Sequence, residues 1–344
     1  GAGWNARARA HFQVFAERLG LPVATAFRRQ DAISPSSKVY AGNLGYGPNP
    51  KLVERVKQAD LILAIGARLG EATTDGYTVP PPTAPDRRLV HVHPDADELN
   101  RVYPADLAIC ASMDEFAESA ALWDDGAVVD FDAGAEAHRE WEEWATAHPN
   151  GHRLDMGQAV QFMRDTLPAD TIICNGAGNF AGWWHRYWRY EGFPTQLAPT
   201  CGAMGYGVPA AVAAALRHPD RTVVAVAGDG DFLMNGQELA TAAQHGAQMI
   251  VIVVDNSAYG TIRMHQEREF PGEDRISATR LANPDFAALA EAYGAWSARA
   301  ATTDEFKDAL VAAQGRSGLR LIHCTIDIEQ LAASGASVSG LRGR

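Results

Sequence analysis

Two apolar runs that each stop at oxygen-bearing side chains constrain this chain most. TVVAVA at 222–227 breaks at Gly228-Asp229-Gly230, and MIVIVV at 249–254 breaks at Asp255-Asn256. Residues 236–246 between them read as a short helix. Strand, helix and strand within about 30 residues form a βαβ unit, whose strands are parallel and end on one edge of the sheet. Asp229 and Asn256 are therefore expected to face one crevice beyond the carboxyl ends of the strands, where open α/β sheets bind ligands.

A carboxylate and an amide oxygen are hard donors. Mg²⁺ prefers such oxygens and takes only one or two protein groups, leaving its other positions to water and phosphate. Gly228 and Gly230 let the backbone approach a bulky anion and offer N–H groups to it. GDG alone is an ordinary turn in most chains. Paired with the second strand at this spacing, it reads as a metal-bridged diphosphate site.

These residues carry a resemblance. GDGDFLMNGQELATAAQHGAQMIVIVVDNSAYG is similar to the thiamine diphosphate (ThDP) binding motif, which opens with GDG and closes with Asn. CGAMGYGVPAAVAAAL at 201–216 resembles the segment beneath the thiazolium ring in the acetolactate synthase-like ThDP enzymes. NGAGNF at 175–180 resembles their first diphosphate-side loop, and residues 1–122 resemble their central domain. The resemblance implies that Asp229 and Asn256 bind Mg²⁺ through side chains and Ala258 through its carbonyl. It implies that Gly178, Asn179, Gly230 and Asp231 hold the diphosphate, with Phe180 and Gly228 in the same loops. Tyr259, Gly260 and Thr261 would close over it, and Met204 would bend the cofactor into its V shape. ThDP itself attacks the carbonyl of a 2-oxo acid and takes up the electrons of decarboxylation.

In this family the glutamate that activates ThDP lies in an N-terminal domain and reaches a neighbouring subunit's cofactor. That residue has no match in this chain, which opens on Gly-Ala-Gly-Trp. The resemblance thus implies a Mg²⁺-dependent 2-oxo acid decarboxylase or carboligase, present as a fragment inactive alone, in an enzyme that is a homodimer or homotetramer. His265 stands where biosynthetic acetolactate synthases have Trp, and Thr261 where they have Met. His265 is the one candidate acid–base group, since imidazole titrates near neutrality. Arg263 and Arg268 read as exposed charge. Gly66-Ala67-Arg68 resembles part of the flavin site of FAD-binding members, but Leu69-Gly70-Glu71 departs from it, so FAD stays open as the lesser of the two readings. His91 and His93 share one face of a strand and read as buried structural residues.

The expected fold is α/β, with two doubly wound parallel-sheet domains. Residues 1–125 form the central domain, incomplete at its start; 126–150 form a linker; 151–344 form the ThDP-binding domain. Strands are read at 21–27, 61–65, 88–93, 107–110, 171–174 and 319–326. Helix starts are read at Asn49-Pro50, Ser112, Asn283-Pro284 and the capping box Thr302–Glu305. The Ser-, Gly- and Ala-rich tail from Ala332 reads as mobile or as a lid.

The net charge of −12 argues against nucleic acid as a partner. The four scattered cysteines form no CxxC pair and read as reduced thiols. No apolar run approaches the roughly 18 residues of a membrane span, and no signal peptide is evident, so a cytoplasmic location is expected. Two other classes stay open. A nicotinamide dehydrogenase would want GxGxxG after a strand and an acid about 20 residues on, which neither GAGNF nor GDGDF supplies. A non-catalytic ThDP-binding subunit would keep Asp229 and Asn256 yet never meet an activating glutamate.

Overall fold

Strands buried on both faces are near-continuous apolar runs, and the second half of the chain is built on such strands. In the computed structural model, residues 3–83, 87–123 and 132–343 are described. The chain divides into two units, one of residues 1–145 with 190–194 and one of 146–189 with 195–344.

The first unit begins with α1 (Ala6–Arg18), capped by Asn5, whose side chain accepts the Ala8 N–H. Strands β1 (Val23–Thr25) and β2 (Tyr40–Asn43) pair in parallel. Asn49 caps α2 (Pro50–Gln58) as the Asn-Pro signal predicts. A separate parallel sheet holds β3 (Leu61–Ile65), β4 (Arg88–His93) and β5 (Leu107–Cys110) in that order. Ser112 then caps α3 (Met113–Leu122). The five strands thus form two sheets, and the strand read over 21–27 shrinks to three residues with an irregular register at Val23/Ala24.

Helix α4 (Asp132–Trp144) falls in the segment read as a linker, of which residues 126–131 lie outside the described residues. It belongs to the first unit's core. Its Trp141 is buried and packs edge-on against Tyr40, ring centroids 4.7 Å apart. His91 and His93 are both buried, and His91 Nε2 lies 2.8 Å from the Ala67 carbonyl.

The second unit runs α5 (Met156–Thr166), β6 (Ile172–Asn175), α6 (Ala181–Tyr187), β7 (Gln196–Leu197), α7 (Gly207–Arg217) and β8 (Val223–Gly228). It continues through α8 (Asp229–Asn235), α9 (Leu239–His245), β9 (Met249–Asp255), α10 (Gly260–Glu269), α11 (Phe286–Ala292), β10 (Trp296–Ala300), α12 (Thr303–Gln314), β11 (Leu319–Thr325) and α13 (Val338–Arg342). Six parallel strands lie in the order β10-β11-β9-β8-β6-β7. Alternate residues Ile172, Cys174, Val223, Ala225, Met249, Val251 and Leu319 enter one core with α7, α9 and α11, as a period of two requires. Gly246 ends α9 at φ +66°, a left-handed cap that glycine adopts without strain.

The chain leaves β6 toward β7 on one side and returns to β8 on the other. The crevice beyond the ends of β6 and β8 is therefore a topological switch point. Asp229 is the first residue of α8, so GDG opens a helix. One local reading changes here. The single helix read at 236–246 is a 3₁₀ turn, Gly236–Glu238, followed by α9. The tail read as mobile contains α13, whose Val338 and Leu341 are buried with Leu331 while Met264 of α10 packs against them.

Candidate cofactor site

β8 and β9 are neighbours, with Gly228 opposite Val254. That pairing brings the residues after each strand together. The Ala258 N–H is shared by two acceptors, Asp229 Oδ2 and Asn256 Oδ1, each at 3.1 Å. Two oxygens from two strands thus converge on one point. Ser257, between Asn256 and Ala258, sits at φ +56°, a left-handed conformation uncommon for a residue with a side chain. The hydrogen bonds flanking the Ala258–Arg280 bridge use the carbonyls of Ser257 and Thr279, not that of Ala258.

Three loops gather around this pair. Asn179 donates its N–H to Thr261 Oγ1 at 2.9 Å, and Thr261 Oγ1 donates to Asn179 Oδ1 at 3.0 Å. The loop after β6 is thereby tied to the first turn of α10. Asp231 ties a third segment: its Oδ1 accepts the N–H groups of Ala177 and Gly205, both at 2.9 Å. Met204, half-buried, directly precedes Gly205. Glycine is required along this crevice. A Cβ on Gly178 or Gly228 would meet the Phe180 ring at 2.9 and 2.8 Å, and one on Gly230 would meet the Tyr259 ring at 2.5 Å. A Cβ on Gly260 would lie 2.9 Å from Asn256 Nδ2.

Asp229 is buried at 3 % exposure, which raises the free energy of its charged form. Burial pushes its carboxyl up to about 6, and the charge of Asp255 adds to the effect, against hydrogen bonds from Asn283 and the Gly230 N–H. Asp255 goes the other way. Burial would raise it, but hydrogen bonds from His323, the Ser257 N–H and Asn283 hold it below the usual carboxylate range.

These bonds and ring contacts bring together the loops that carry Asn179, Gly228, Asp231, Asn256 and Thr261, with Met204 beside Gly205. His265 is exposed on α10. Arg263, read as surface charge, is instead buried: it donates to the buried Glu267 at 2.7 Å, and Glu267 also takes a bidentate pair of bonds from Arg342 at 2.8 Å. An arginine with a carboxylate four residues on along a helix can be buried as a pair. Asn283-Pro284 reads as a helix start, yet Asp285 caps α11 and the Asn283 amide donates to Asp229 Oδ2 and Asp255 Oδ1, both at 2.8 Å. No local sequence signal marks that role, because the partners lie 54 and 28 residues away.

Two family models match in succession, the thiamine pyrophosphate enzyme central domain over residues 1–119 and the thiamine pyrophosphate enzyme C-terminal TPP binding domain over 176–324. The acetolactate synthase isozyme 2 large subunit of Escherichia coli K12 is 29 % identical over 311 residues, 89 % of this chain and 55 % of that protein. The chain belongs to the thiamine diphosphate-dependent, acetolactate synthase-like family. The acetolactate synthase large subunit of Parasynechococcus marenigrum is 30 % identical over 86 % of this chain and 48 % of its own length. Among solved structures, the thiamine diphosphate-dependent 4-hydroxybenzoylformate decarboxylase of Rhodococcus jostii RHA1 superposes with a TM-score of 0.77 at 26 % identity, covering 94 % of this chain and 59 % of that one. The chain spans about half the length of the curated relatives it matches.

The crevice fits the family's cofactor on its own chemistry. Its converging donors are one carboxylate and one amide oxygen, the hard oxygens that Mg²⁺ selects. Its glycines let the Phe180 and Tyr259 rings close onto the backbone of the loops, where a side chain would clash. Among the described residues no group of three His, Cys, Asp or Glu offers a competing metal position, and no helix is long and apolar enough to cross a membrane.

Proposed function

We propose that this chain holds Mg²⁺ and the diphosphate of ThDP in an enzyme that decarboxylates a small 2-oxo acid, or couples it to a second carbonyl compound. The observation that carries the reading is the meeting of Asp229 Oδ2 and Asn256 Oδ1 on the Ala258 N–H. In this reading Asp229, Asn256 and the Ala258 carbonyl hold the metal. The backbone at Gly178, Asn179, Gly230 and Asp231 would hold the diphosphate, with Tyr259, Gly260 and Thr261 closing over it. Phe180 and Tyr259 keep water from the glycine backbone they cover, which strengthens every polar contact there. Met204 would support the cofactor. Bound ThDP supplies an electron sink for decarboxylation.

4-Hydroxybenzoylformate, the substrate named in the solved relative, is a 2-oxo acid, and acetolactate, the product named in the synthases, carries the hydroxyl and neighbouring carbonyl of a carbonyl–carbonyl coupling; both support the reading. Thr261 and His265, where acetolactate synthases carry Met and Trp, favour a substrate other than that of strict acetolactate synthesis. The activating carboxylate is proposed to come from a domain beyond these 344 residues, in a homo-oligomer whose cofactor sites lie between subunits. The test is CO₂ release from pyruvate and from benzoylformate with Mg²⁺ and ThDP. The chain alone is expected to be inactive, and a glutamate-bearing pyrimidine domain, added in cis or in trans, is expected to start turnover. Ordinary turnover by the chain alone contradicts the proposal.

A further inference from the structure

Asp255 ends β9 one residue before Asn256 and is buried. It is a hub. Its Oδ1 accepts the Ser257 N–H at 2.8 Å, the Ser257 hydroxyl at 3.3 Å and the Asn283 amide at 2.8 Å. Its Oδ2 lies 2.9 Å from His323 Nε2. The Ser257 bond matters because Ser257 holds its left-handed backbone between Asn256 and Ala258, and such a conformation persists only where its surroundings fix it. Asn283 matters because its one Nδ2 donates to Asp255 Oδ1 and Asp229 Oδ2 together, which uses both of its hydrogens. Its Oδ1 is buried and has no hydrogen-bond partner among the described residues. Among those residues the two carboxylates orient the amide.

We propose that Asp255, Asn283 and His323 form one positioning unit that presets both arms of the metal site. Through Asn283 it fixes the Asp229 carboxylate, and through Ser257 it fixes the turn that presents Asn256 and Ala258. His323 holds Asp255 in the rotamer that reaches both. This rests on the Mg²⁺–ThDP reading of the crevice. The neutral amide also stands between two buried carboxylates, which would otherwise face each other as like charges.

The experiment is titration of Mg²⁺ into the full chain at fixed ThDP, read by calorimetry, with thermal unfolding of each variant alongside. Groups that orient metal ligands typically cost 10–100-fold in metal affinity when removed. Asn283→Ala is expected to raise the Mg²⁺ concentration at half-saturation by about 10–100-fold, with ThDP binding regained at high Mg²⁺ and stoichiometry unchanged. His323→Leu should shift the Mg²⁺ requirement in the same direction, and His323→Gln, which keeps a donor for Asp255, should restore it. Wild-type binding with an unchanged Mg²⁺ requirement in folded Asn283→Ala overturns the proposal. If Asn283→Ala does not fold, the histidine pair decides, and equal behaviour of His323→Leu and His323→Gln overturns it. Absence of binding by the wild type removes the reading beneath it, a distinct result.

Discussion

Gly176 has no room for a side chain because Asp231 fills it. A Cβ there would overlap both carboxylate oxygens of Asp231, whose Oδ1 holds the amides of Ala177 and Gly205. One buried carboxylate thereby braces two loops, at Ala177 and Gly205, from the first turn of α8.

Gly176→Ala must displace Asp231 and break those two bonds. Hydrogen bonds to a charged group contribute about 1.5–3 kcal/mol each, and partial relaxation recovers some of it. We expect a loss of roughly 3 kcal/mol in unfolding free energy, measured by urea denaturation, together with weaker ThDP binding. A stability within about 0.5 kcal/mol of wild type, the range of an ordinary surface change, contradicts the bracing role.

The raised carboxyl of Asp229 gives a pH dependence with a defined sign. The ordinary value is 3.8 and the folded value about 6. The folded metal-free protein binds this proton more tightly than the unfolded chain. Its contribution to stability is therefore complete below the ordinary value and is lost as pH rises through about 6. The difference in unfolding free energy between wild type and Asp229→Asn, followed across that window, checks the sign. In the proposed reading Mg²⁺ takes the ionised carboxylate, so its binding at pH 6 should release protons. Calorimetry in two buffers of different ionisation heat measures that release.

Glu267 is buried between Arg263 and Arg342. The Arg342 guanidinium, with Arg263 behind it, holds its carboxyl below the usual range against the effect of burial. Breaking a buried pair by removing one partner costs about 3–5 kcal/mol. Glu267→Gln should fall near the lower figure, because Arg342 is partly exposed. Arg342→Gln should cost less, about 1.5–3 kcal/mol, since Arg263 still pairs with Glu267 and the bidentate bonds that are lost come from a partly exposed guanidinium. Urea denaturation gives both values, and hydrogen exchange at 338–342 should quicken in both variants.

Trp141→Ala tests whether α4 belongs to the first unit's core. Removing a buried tryptophan costs about 3–5 kcal/mol. An exposed connecting helix would lose almost nothing. A two-domain unfolding trace, read by calorimetry, should show the loss in one transition only.

The sheet of the second unit was legible where burial left one reading of the sequence. β8 and β9 are apolar at nearly every position because both their faces are covered, and their oxygen-bearing ends mark the crevice. β10, by contrast, reads Trp-Ser-Ala-Arg-Ala on the edge of the sheet, half-exposed and without a buried run, and the sequence does not announce it. β7 has two residues and is defined only by its partner β6. The site divides in the same way. Asp229 and Asn256 stand at strand ends, where topology places them. Asn283 and His323 arrive from elements distant in sequence, and Asn283-Pro-Asp carries a helix-start pattern that conceals the longer-range bond. Arg263 reads as surface charge until α13 brings Arg342 to Glu267.

The most direct test is a calorimetric titration of ThDP into the 344-residue chain, with Mg²⁺, with EDTA, and with Asp229→Ala. Binding that requires Mg²⁺ and is abolished in folded Asp229→Ala is the predicted result. Binding that survives EDTA, or that Asp229→Ala retains at wild-type affinity, contradicts the assignment of Asp229 and Asn256 to a metal-bridged diphosphate site.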